Sequence, residues 1–220
     1  MSFEPRAMAN VLALYHLADV NDSSGNSHTL TNGGTVTFGL GKLGNCALFG
    51  NANSSKYLLH SDGLGKDLSG AASFSVWFVL QTLPASGESQ TIIRWGNTTG
   101  TPYYFYLNYI NDSGTKKLRV VCGEGGAYID LAINLSVTVW YKADVNIDST
   151  CELFLNGASV GTNARGASGG SYANIAIGAR YTTLSDQYFK GNIDEAIFFS
   201  SARTAADIRR RYAFERGMLM

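Results

Sequence analysis

The chain has little proline, little charge and no excess of either charge sign. Its 220 residues include three prolines, and the four charged residue types make up only 15% of the total. Seventeen basic residues balance seventeen acidic ones, so the formal net charge is zero. A protein without net charge produces no long-range field that attracts nucleic acid or an anionic membrane surface. We therefore expect neither as a partner, and we expect binding to depend on short-range contacts.

Long apolar runs are also missing from the sequence. No segment approaches the roughly 20 apolar residues that a membrane-spanning helix needs. Residues 1–10 contain one arginine and no apolar run, and His16 interrupts the segment Val11–Leu17, which is unlike a secretory signal peptide. The sequence therefore predicts a protein that is made in the cytoplasm without a signal peptide and is not inserted in a membrane.

Cysteine is scarce as well. The three cysteines are Cys46, Cys122 and Cys151, an odd number without the spacing of a metal site. The three histidines, His16, His28 and His60, show no metal-ligand spacing either. We expect the cysteines to be reduced and buried, and His16 to be a hydrogen-bonded structural residue.

Glycine and aromatic residues are abundant, with 25 Gly, 12 Tyr and 11 Phe. Aromatic residues favour strands and glycines favour tight turns, so this composition predicts an all-β protein. A chain of this length buries about 70% of its unfolded surface and often forms one β domain. Periodicity predicts strands at 11–17, 35–38, 47–49, 73–80, 91–95, 103–109, 117–122, 128–133, 140–147, 152–155, 158–161, 175–177 and 193–199.

Several local signals are specific. Residues 73–80 are apolar on both faces, which is typical of a strand in the middle of a sheet. Asn156-Gly157 between two apolar runs predicts a tight hairpin, whereas residues 110–115 and 163–171 are predicted loops. Thr204, followed three residues later by Asp207, predicts the N-cap of a terminal helix that places Ile208, Tyr212 and Leu219 against the body.

A set of motifs in order along the chain resembles the laminin-G-like jelly rolls of the concanavalin A-like lectin and glucanase superfamily. The matching segments are 14–17 with 22–26, 41–49, 73–77, 140–141, 153–157 and the closing run 191–209. The resemblance implies one all-β domain over residues 1–220. Its fold would be a jelly-roll β-sandwich of about 12–14 antiparallel strands in two sheets, with a short C-terminal helix.

Catalytic residues of this superfamily's hydrolases are not recognisable in the sequence. Those enzymes place two carboxylates on one strand, where they supply a nucleophile and an acid/base. The chain has six glutamates, and no two of them share a strand at that spacing. Asp194 and Glu195 are adjacent and would point to opposite faces. We therefore predict a non-enzymatic protein, with a divergent glycoside hydrolase as the weaker alternative.

Calcium is the best candidate for a bound ion, in a structural role. Asp22 and Asn26 lie on the opening turn and offer the oxygen ligands that calcium prefers. The resemblance adds Asp194 in the closing strand as a third ligand. The alternative is that Asp22 forms an Asx turn and Asp194 accepts backbone hydrogen bonds.

Aromatic and polar residues cluster around residues 97–101 and 178–187. Sugars stack on aromatic rings and form hydrogen bonds with amide and guanidinium groups. The alternative for each ring is packing in the core. The predicted ligand-binding residues are Trp95, Asn97, Tyr104, Arg180 and Tyr181.

The function expected from these features is lectin-like binding or adhesion. A chain with one such domain, an initiator methionine and no export signal resembles the accessory virion proteins of tailed phages, either capsid decoration or tail and fibre components. The expected partners are a glycan or other virion proteins, and the expected location is the virion. The alternative is a carbohydrate-binding lectin that is intracellular or released by an atypical route.

Overall fold

The computed structural model describes residues 10–52, 55–96, 104–123, 127–166, 174–180 and 187–217. Within these residues the chain forms two antiparallel sheets and a C-terminal helix, which confirms the predicted sandwich. The strands are β1 Val11–Tyr15, β2 Thr31–Gly33, β3 Thr37–Leu40, β4 Asn45–Leu48, β5 Tyr57–His60, β6 Ala72–Leu80, β7 Ser89–Gly96, β8 Tyr104–Asp112, β9 Thr115–Cys122, β10 Tyr128–Ala132, β11 Trp140–Ile147, β12 Thr150–Leu155, β13 Ala158–Ala164, β14 Asn174–Ile177 and β15 Gly191–Phe199. The helix α1 is Ala205–Gly217.

The first sheet has eight strands. Seven follow the order β13-β12-β11-β6-β15-β4-β3, and β1 pairs with the second half of β15. Every residue of β6 is buried, because β11 and β15 flank it and each of its faces is covered. The prediction that this segment is a central strand is confirmed.

The second sheet has seven strands in the order β10-β9-β8-β7-β14-β5-β2. Alternation along β8 sends Phe105, Leu107 and Tyr109 into the core between the sheets, whereas Tyr106 and Asn108 face away from it. Two short strands of this sheet, β2 and β5, were absent from the sequence prediction. The three residues of β2 are polar or glycine, so the segment has no apolar alternation to detect.

Two turns illustrate how local residues set the hairpins. Asn156 and Gly157 both have positive φ, +51° and +79°, which confirms the predicted tight turn between β12 and β13. The loop expected at 110–115 is shorter, because β8 and β9 continue to the two-residue turn Ser113-Gly114. β13 likewise extends to Ala164, inside the predicted loop 163–171, of which residues 167–171 lie outside the described residues.

Helix α1 packs on the first sheet. The Thr204 hydroxyl accepts a hydrogen bond from the Asp207 backbone N–H at 3.1 Å, as expected of an N-cap, and Ile208 is fully buried. Tyr212 stacks on Trp77 with ring centroids 5.8 Å apart. Leu219 lies outside the described residues. In the part of the chain that the structure describes, no helix is both long and apolar enough to cross a bilayer.

A buried ion pair that no sequence pattern indicates holds the last turn of α1. The Glu215 carboxylate accepts hydrogen bonds from the Lys142 ammonium, the Arg211 guanidinium and Trp77 Nε1, the last at 2.7 Å. Burial by itself raises the pKa of Glu215, but the charges of Lys142 and Arg211 outweigh it and hold the pKa below its ordinary value. The helix is therefore fixed to β6 and β11 by polar contacts as well as by ring stacking.

All three cysteines are buried and free, as predicted. Burial raises the pKa of the Cys46 thiol to about 12, which keeps it protonated and unreactive at neutral pH.

Candidate ligand-binding site

The outward face of the second sheet carries a polar surface. Arg94 of β7 lies opposite Tyr106 of β8, and Asn108 of β8 lies opposite Arg119 of β9. Asp130 of β10 lies opposite Arg119 and extends the same row. These cross-strand neighbours share a face and are absent from the core between the sheets. Tyr106, Asn108 and Arg119 border a cavity of about 290 Å³, here called the polar cleft. Its other polar lining residues include Glu88, Asp112, Arg180 and Gln187.

Tyrosine rings and guanidinium groups alternate on this face near the start of β8. The Arg180 guanidinium lies 4.9 Å from the ring centroid of Tyr106 and 6.0 Å from that of Tyr104. The Arg94 guanidinium lies 5.7 Å from the Tyr104 ring, and the two tyrosine rings are 5.3 Å apart. Arg180 Nη1 also donates to Gln187 Oε1 at 3.3 Å. Cation–π contacts of this kind hold the rings and guanidinium groups in place.

Asn108 is the buried polar group at the floor of the cleft. Its side chain is only 3% exposed, and its Oδ1 accepts no hydrogen bond within the described ranges. Buried amide oxygens are nearly always hydrogen-bonded in folded proteins. A ligand hydroxyl or a water molecule in the cleft would supply the donor that Asn108 Oδ1 requires.

A row of charged residues borders the cleft on β8, β9 and β10. Arg119 donates two hydrogen bonds of 2.6 Å to the two carboxylate oxygens of Asp130, and this pairing lowers the pKa of Asp130. Lys117 Nζ lies 2.9 Å from Asp112 Oδ2 and 3.5 Å from Asp130 Oδ2. Charges of both signs therefore neutralise each other along the face, which suits an uncharged polar ligand.

Tyr128 supplies an exposed aromatic ring at the start of β10. The residue is 49% exposed, and the Arg119 guanidinium lies 4.4 Å from its ring centroid. Tyr128 is not among the ligand-binding residues predicted from the sequence, although alternation along β10 places it on the same face as Asp130. An aromatic ring at the edge of a polar cleft is a surface on which a sugar ring can stack.

The predicted ligand-binding residues have different positions in the structure. Tyr104 and Arg180 do lie together on the outward face, and their role in binding stays a prediction. Asn97 and Tyr181 lie outside the described residues. Trp95 requires a correction, because its ring is fully buried between the sheets and its Nε1 donates to the Gly63 carbonyl at 3.2 Å. The expectation of an exposed Trp95 ring is wrong.

The two adjacent acids of β15 are held by different partners. Asp194 is fully buried, and its Oδ2 accepts hydrogen bonds from the backbone N–H groups of Lys42 and Leu43 at 2.7 and 2.9 Å. Burial raises the pKa of Asp194 to about 6. Glu195 Oε1 lies 2.5 Å from His16 Nδ1, and this hydrogen bond raises the pKa of His16. These two acids form no facing pair of carboxylates.

The three predicted calcium ligands also have other contacts. Asp22 accepts hydrogen bonds from the backbone N–H groups of Leu14, Ser24 and His28, which is the arrangement of the Asx-turn alternative. These bonds outweigh the effect of burial and lower the pKa of Asp22. Asn26 donates its amide to the carbonyls of Val11 and Leu12. Asp22 and Asp194 have no common hydrogen-bond partner in the residues that the structure describes, and calcium binding stays a prediction.

Comparison with solved structures supports the fold. Domain 4 of AbnA, a GH43 extracellular arabinanase from Geobacillus stearothermophilus solved with arabinotriose, matches with a TM-score of 0.70 and 21% identity; the match covers 91% of this chain and 97% of that domain. The binding domain of botulinum neurotoxin DC, solved with rat synaptotagmin II, matches with a TM-score of 0.72 and 12% identity over 95% of this chain. The binding domain of Paraclostridial Mosquitocidal Protein 1 matches with a TM-score of 0.67 and 14% identity over 94% of this chain. The chain spans about half of each toxin domain, 52% in both cases.

A family comparison gives the more specific result. No curated protein sequence matches the chain. The model of the family Laminin_G_3, described as the concanavalin A-like lectin/glucanases superfamily, matches residues 50–209. That range contains most of both sheets and the first turn of α1. By sequence and by fold, the chain belongs to the Laminin_G_3 family of the concanavalin A-like lectin/glucanases superfamily.

Proposed function

We propose that this protein is a non-enzymatic carbohydrate-binding module and that an oligosaccharide binds in the polar cleft on the outward face of the second sheet. The observation that carries the proposal is the buried Asn108 carboxamide oxygen at the floor of the cleft. It is an acceptor without a protein donor among the described residues, and it lines the cleft together with Tyr106. A sugar hydroxyl is a donor of the required size and geometry.

The chemistry of the surrounding residues fits the same ligand class. Sugars have apolar C–H faces, which pack on aromatic rings, and hydroxyls, which pair with amide and charged groups. Tyr128 offers the exposed ring, and Arg119, Arg180 and Gln187 offer the polar groups around it. Acidic and basic groups on this face are paired with each other, so the face offers polar hydrogen-bonding groups without a strong attraction for a charged ligand.

Structures with this fold have been solved with carbohydrates. The arabinanase domain contains arabinotriose, and a binding domain of botulinum neurotoxin DC is in complex with SialylT. Cell entry of botulinum neurotoxin type C depends on two ganglioside molecules. These cases support a carbohydrate as the ligand of the present protein. The neurotoxin DC domain with rat synaptotagmin II shows that this fold also binds proteins, so a protein partner is the outcome to test against.

The proposal of a non-enzymatic role rests on the positions and contacts of the carboxylate side chains. Glycosidases need two carboxyl groups facing each other across about 5–10 Å of substrate space. Asp194 is buried against a turn, and Glu195 is paired with His16. Neither is positioned on the polar cleft. The two acids that do line the cleft, Glu88 and Asp112, are paired with Lys190 and Lys117, and these contacts help to hold both pKa values below the ordinary value, so neither is set up as a protonated general acid. A place in a phage virion, either on the capsid or in a tail fibre, is part of this proposal, and its support is the sequence resemblance alone.

An array of immobilised glycans, including arabino-oligosaccharides and sialylated oligosaccharides, tests the proposal. The best ligand is then titrated calorimetrically into the wild type and into Tyr128→Ala and Asn108→Ala. Removing the ring on which the sugar stacks, or the acceptor of its hydroxyl, should cost about 2 kcal/mol or more, so we expect affinity to fall roughly 30-fold.

The matched control is Phe214→Ala, which removes an aromatic residue that is 43% exposed on α1. This variant should bind like the wild type, and circular dichroism should show that all three variants are folded. Failure of the array to find any glycan, or wild-type affinity in both cleft variants, would refute the proposal.

A further inference from the structure

Two histidines and one aspartate meet at one end of the second sheet. His28 precedes β2, His60 is the last residue of β5, and Asp62 begins the short turn that follows β5. His28 Nδ1 lies 3.2 Å from His60 Nε2, which lies 2.5 Å from Asp62 Oδ1. His28 Nδ1 and Asp62 Oδ1 are 3.9 Å apart. Imidazole nitrogen and carboxylate oxygen are both zinc ligands, and this is the one such group of three found in the described part of the chain.

The hydrogen bonds of His60 fix the position of its proton. Its Nδ1 lies 3.1 Å from the carbonyl oxygen of Thr29, which can only accept, so Nδ1 carries the hydrogen. In the neutral ring Nε2 is then a bare acceptor. It faces the Asp62 carboxylate, another acceptor, at 2.5 Å. Two acceptors at this distance repel each other unless a cation or a second proton joins them.

The size of the cluster suits a small metal ion. Tetrahedral zinc with bonds of about 2.0–2.1 Å places its ligand atoms about 3.2–3.4 Å from one another. The three distances, 2.5, 3.2 and 3.9 Å, average about 3.2 Å. Adjustments of less than about 1 Å would therefore equalise them, which rotation of the exposed Asp62 carboxylate and the two imidazole rings can supply.

The backbone around His28 is held before any ion binds. The His28 N–H donates to Asp22 Oδ2 at 3.1 Å, and its carbonyl accepts from the Tyr15 hydroxyl at 2.7 Å. Tyr15 is itself fully buried in the core. The Asp22 carboxylate, predicted as a calcium ligand, thus positions His28 in the structure.

The turn that carries Asp62 is held in the same way. Asp62 Oδ1 accepts from the Leu64 N–H at 2.9 Å, and the Gly63 carbonyl accepts from the buried Trp95 indole at 3.2 Å. The imidazole of His60 is oriented by Thr29. Ligands that are oriented by neighbouring groups are characteristic of metal sites, because the cost of ordering them has been met during folding.

We propose that His28 Nδ1, His60 Nε2 and Asp62 Oδ1 bind one Zn²⁺ ion, with water as the fourth ligand. Two imidazole nitrogens and one carboxylate oxygen favour zinc over calcium and magnesium, which prefer oxygen ligands alone. The ion would connect the segment before β2 to the end of β5, two positions 32 residues apart in the sequence. The site shares no residue with the polar cleft.

Isothermal titration calorimetry of tag-free, chelator-treated protein with ZnCl₂ at pH 7.5 tests the site. The wild type should bind one equivalent. His60→Ala and Asp62→Asn should weaken binding by about 100-fold or more, since loss of a group that only orients a ligand already costs about 10–100-fold. Asn can still accept the hydrogen bond from the Leu64 N–H, so Asp62→Asn keeps the turn and serves as the folded variant if His60→Ala does not fold.

The matched control is His16→Ala, which removes the other histidine that contacts a carboxylate. It should bind zinc like the wild type. Binding should also weaken as the pH falls, because a proton competes with the metal for each imidazole. Co²⁺ should give the visible absorption of a four- or five-coordinate site in the wild type and lose it in Asp62→Asn. A wild type that binds no zinc at 1 mM, unchanged affinity in folded Asp62→Asn, or loss of binding in His16→Ala would overturn the proposal.

Discussion

Replacing Asp194 with asparagine should stabilise the protein at neutral pH. Asp194 is fully buried, and its Oδ2 accepts two backbone hydrogen bonds that the asparagine Oδ1 can also accept. Its Oδ1 has no hydrogen-bond partner in the described segments, so the asparagine NH₂ breaks no bond there, but its N–H donors also lack an acceptor and offset part of the gain. The substitution therefore removes a buried charge and keeps the contacts of the carboxyl group with residues 42 and 43.

The size of the effect follows from the pKa. Burial raises the pKa of Asp194 from its ordinary 3.8 to about 6, although hydrogen bonds from the backbone act in the opposite direction. Between these two values the folded protein holds a proton that the unfolded chain has lost, so stability falls as the pH rises. Above pH 6 the full penalty remains. It is about 3 kcal/mol, because the pKa of Asp194 is higher by roughly two in the folded protein than in the unfolded chain.

Thermal unfolding of both proteins at pH 4, 5, 6, 7 and 8 measures this penalty. For a chain of this size 1 kcal/mol corresponds to about 2–4 °C, so removal of the whole penalty would raise the melting temperature by about 6–12 °C. The unpaired NH₂ of asparagine reduces this gain, and Asp194→Asn should still melt above the wild type at pH 7–8. The difference should shrink toward pH 4. The pKa of His16 is also raised, mainly by its hydrogen bond with Glu195, which both proteins keep, and to a smaller degree by the charge of Asp194.

Two results would refute this reasoning about Asp194. A variant that melts below the wild type at pH 7, or a difference that does not change with pH, would show that the Asp194 carboxylate is stabilised by a partner. Repeating the melts with added Ca²⁺ and with chelator identifies that partner. If calcium binds Asp194 together with Asp22 and Asn26, calcium should raise the melting temperature of the wild type and not that of Asp194→Asn.

Three further outcomes are expected. Glu215→Ala should destabilise the protein by about 3–5 kcal/mol in urea unfolding, because it leaves the Lys142 ammonium and the Arg211 guanidinium buried without their carboxylate. The control is Arg210→Ala, whose side chain is 80% exposed, and a loss of stability no larger than in this control would contradict the prediction. Trp95→Ala should cost about 3–5 kcal/mol as a core truncation, and a folded variant with wild-type stability would contradict its placement in the core. The purified protein should release no reducing ends from arabinan, β-glucan or galactan, and measurable turnover would contradict the non-enzymatic role.

Much of the fold could be predicted because its signals are local. Alternating and doubly apolar segments indicate strands wherever they are long enough, as in β6 and β11. Asn156-Gly157 specifies a hairpin because both residues accept positive φ, and Thr204 caps a helix through its own hydroxyl. Short strands such as β2 escape prediction, since their pairing with β5 provides the order that their side chains do not.

The face of a strand is less predictable than its existence. The pairing of β7 with β8 shifts between Thr91 and Ile93, and the extra residue places both Ile92 and Ile93 in the core. From that point the alternation is reversed, so Trp95 points inward. A bulge of one residue exchanges the two faces of a strand, and nothing in the local composition marks its position.

The sequence by itself determined the fold class and the family, and it showed that no predicted strand carries two glutamates at the spacing of the family's hydrolases. The tertiary structure alone decided which distant residues share a site. His28 and His60 show no ligand spacing in the sequence but meet because β2 pairs with β5. Lys142 and Glu215 meet across 73 residues because α1 packs on the first sheet, and Tyr106, Asn108 and Arg119 share a cleft through strand register. These contacts depend on pairing between segments far apart in the chain, and local sequence patterns do not specify such pairing.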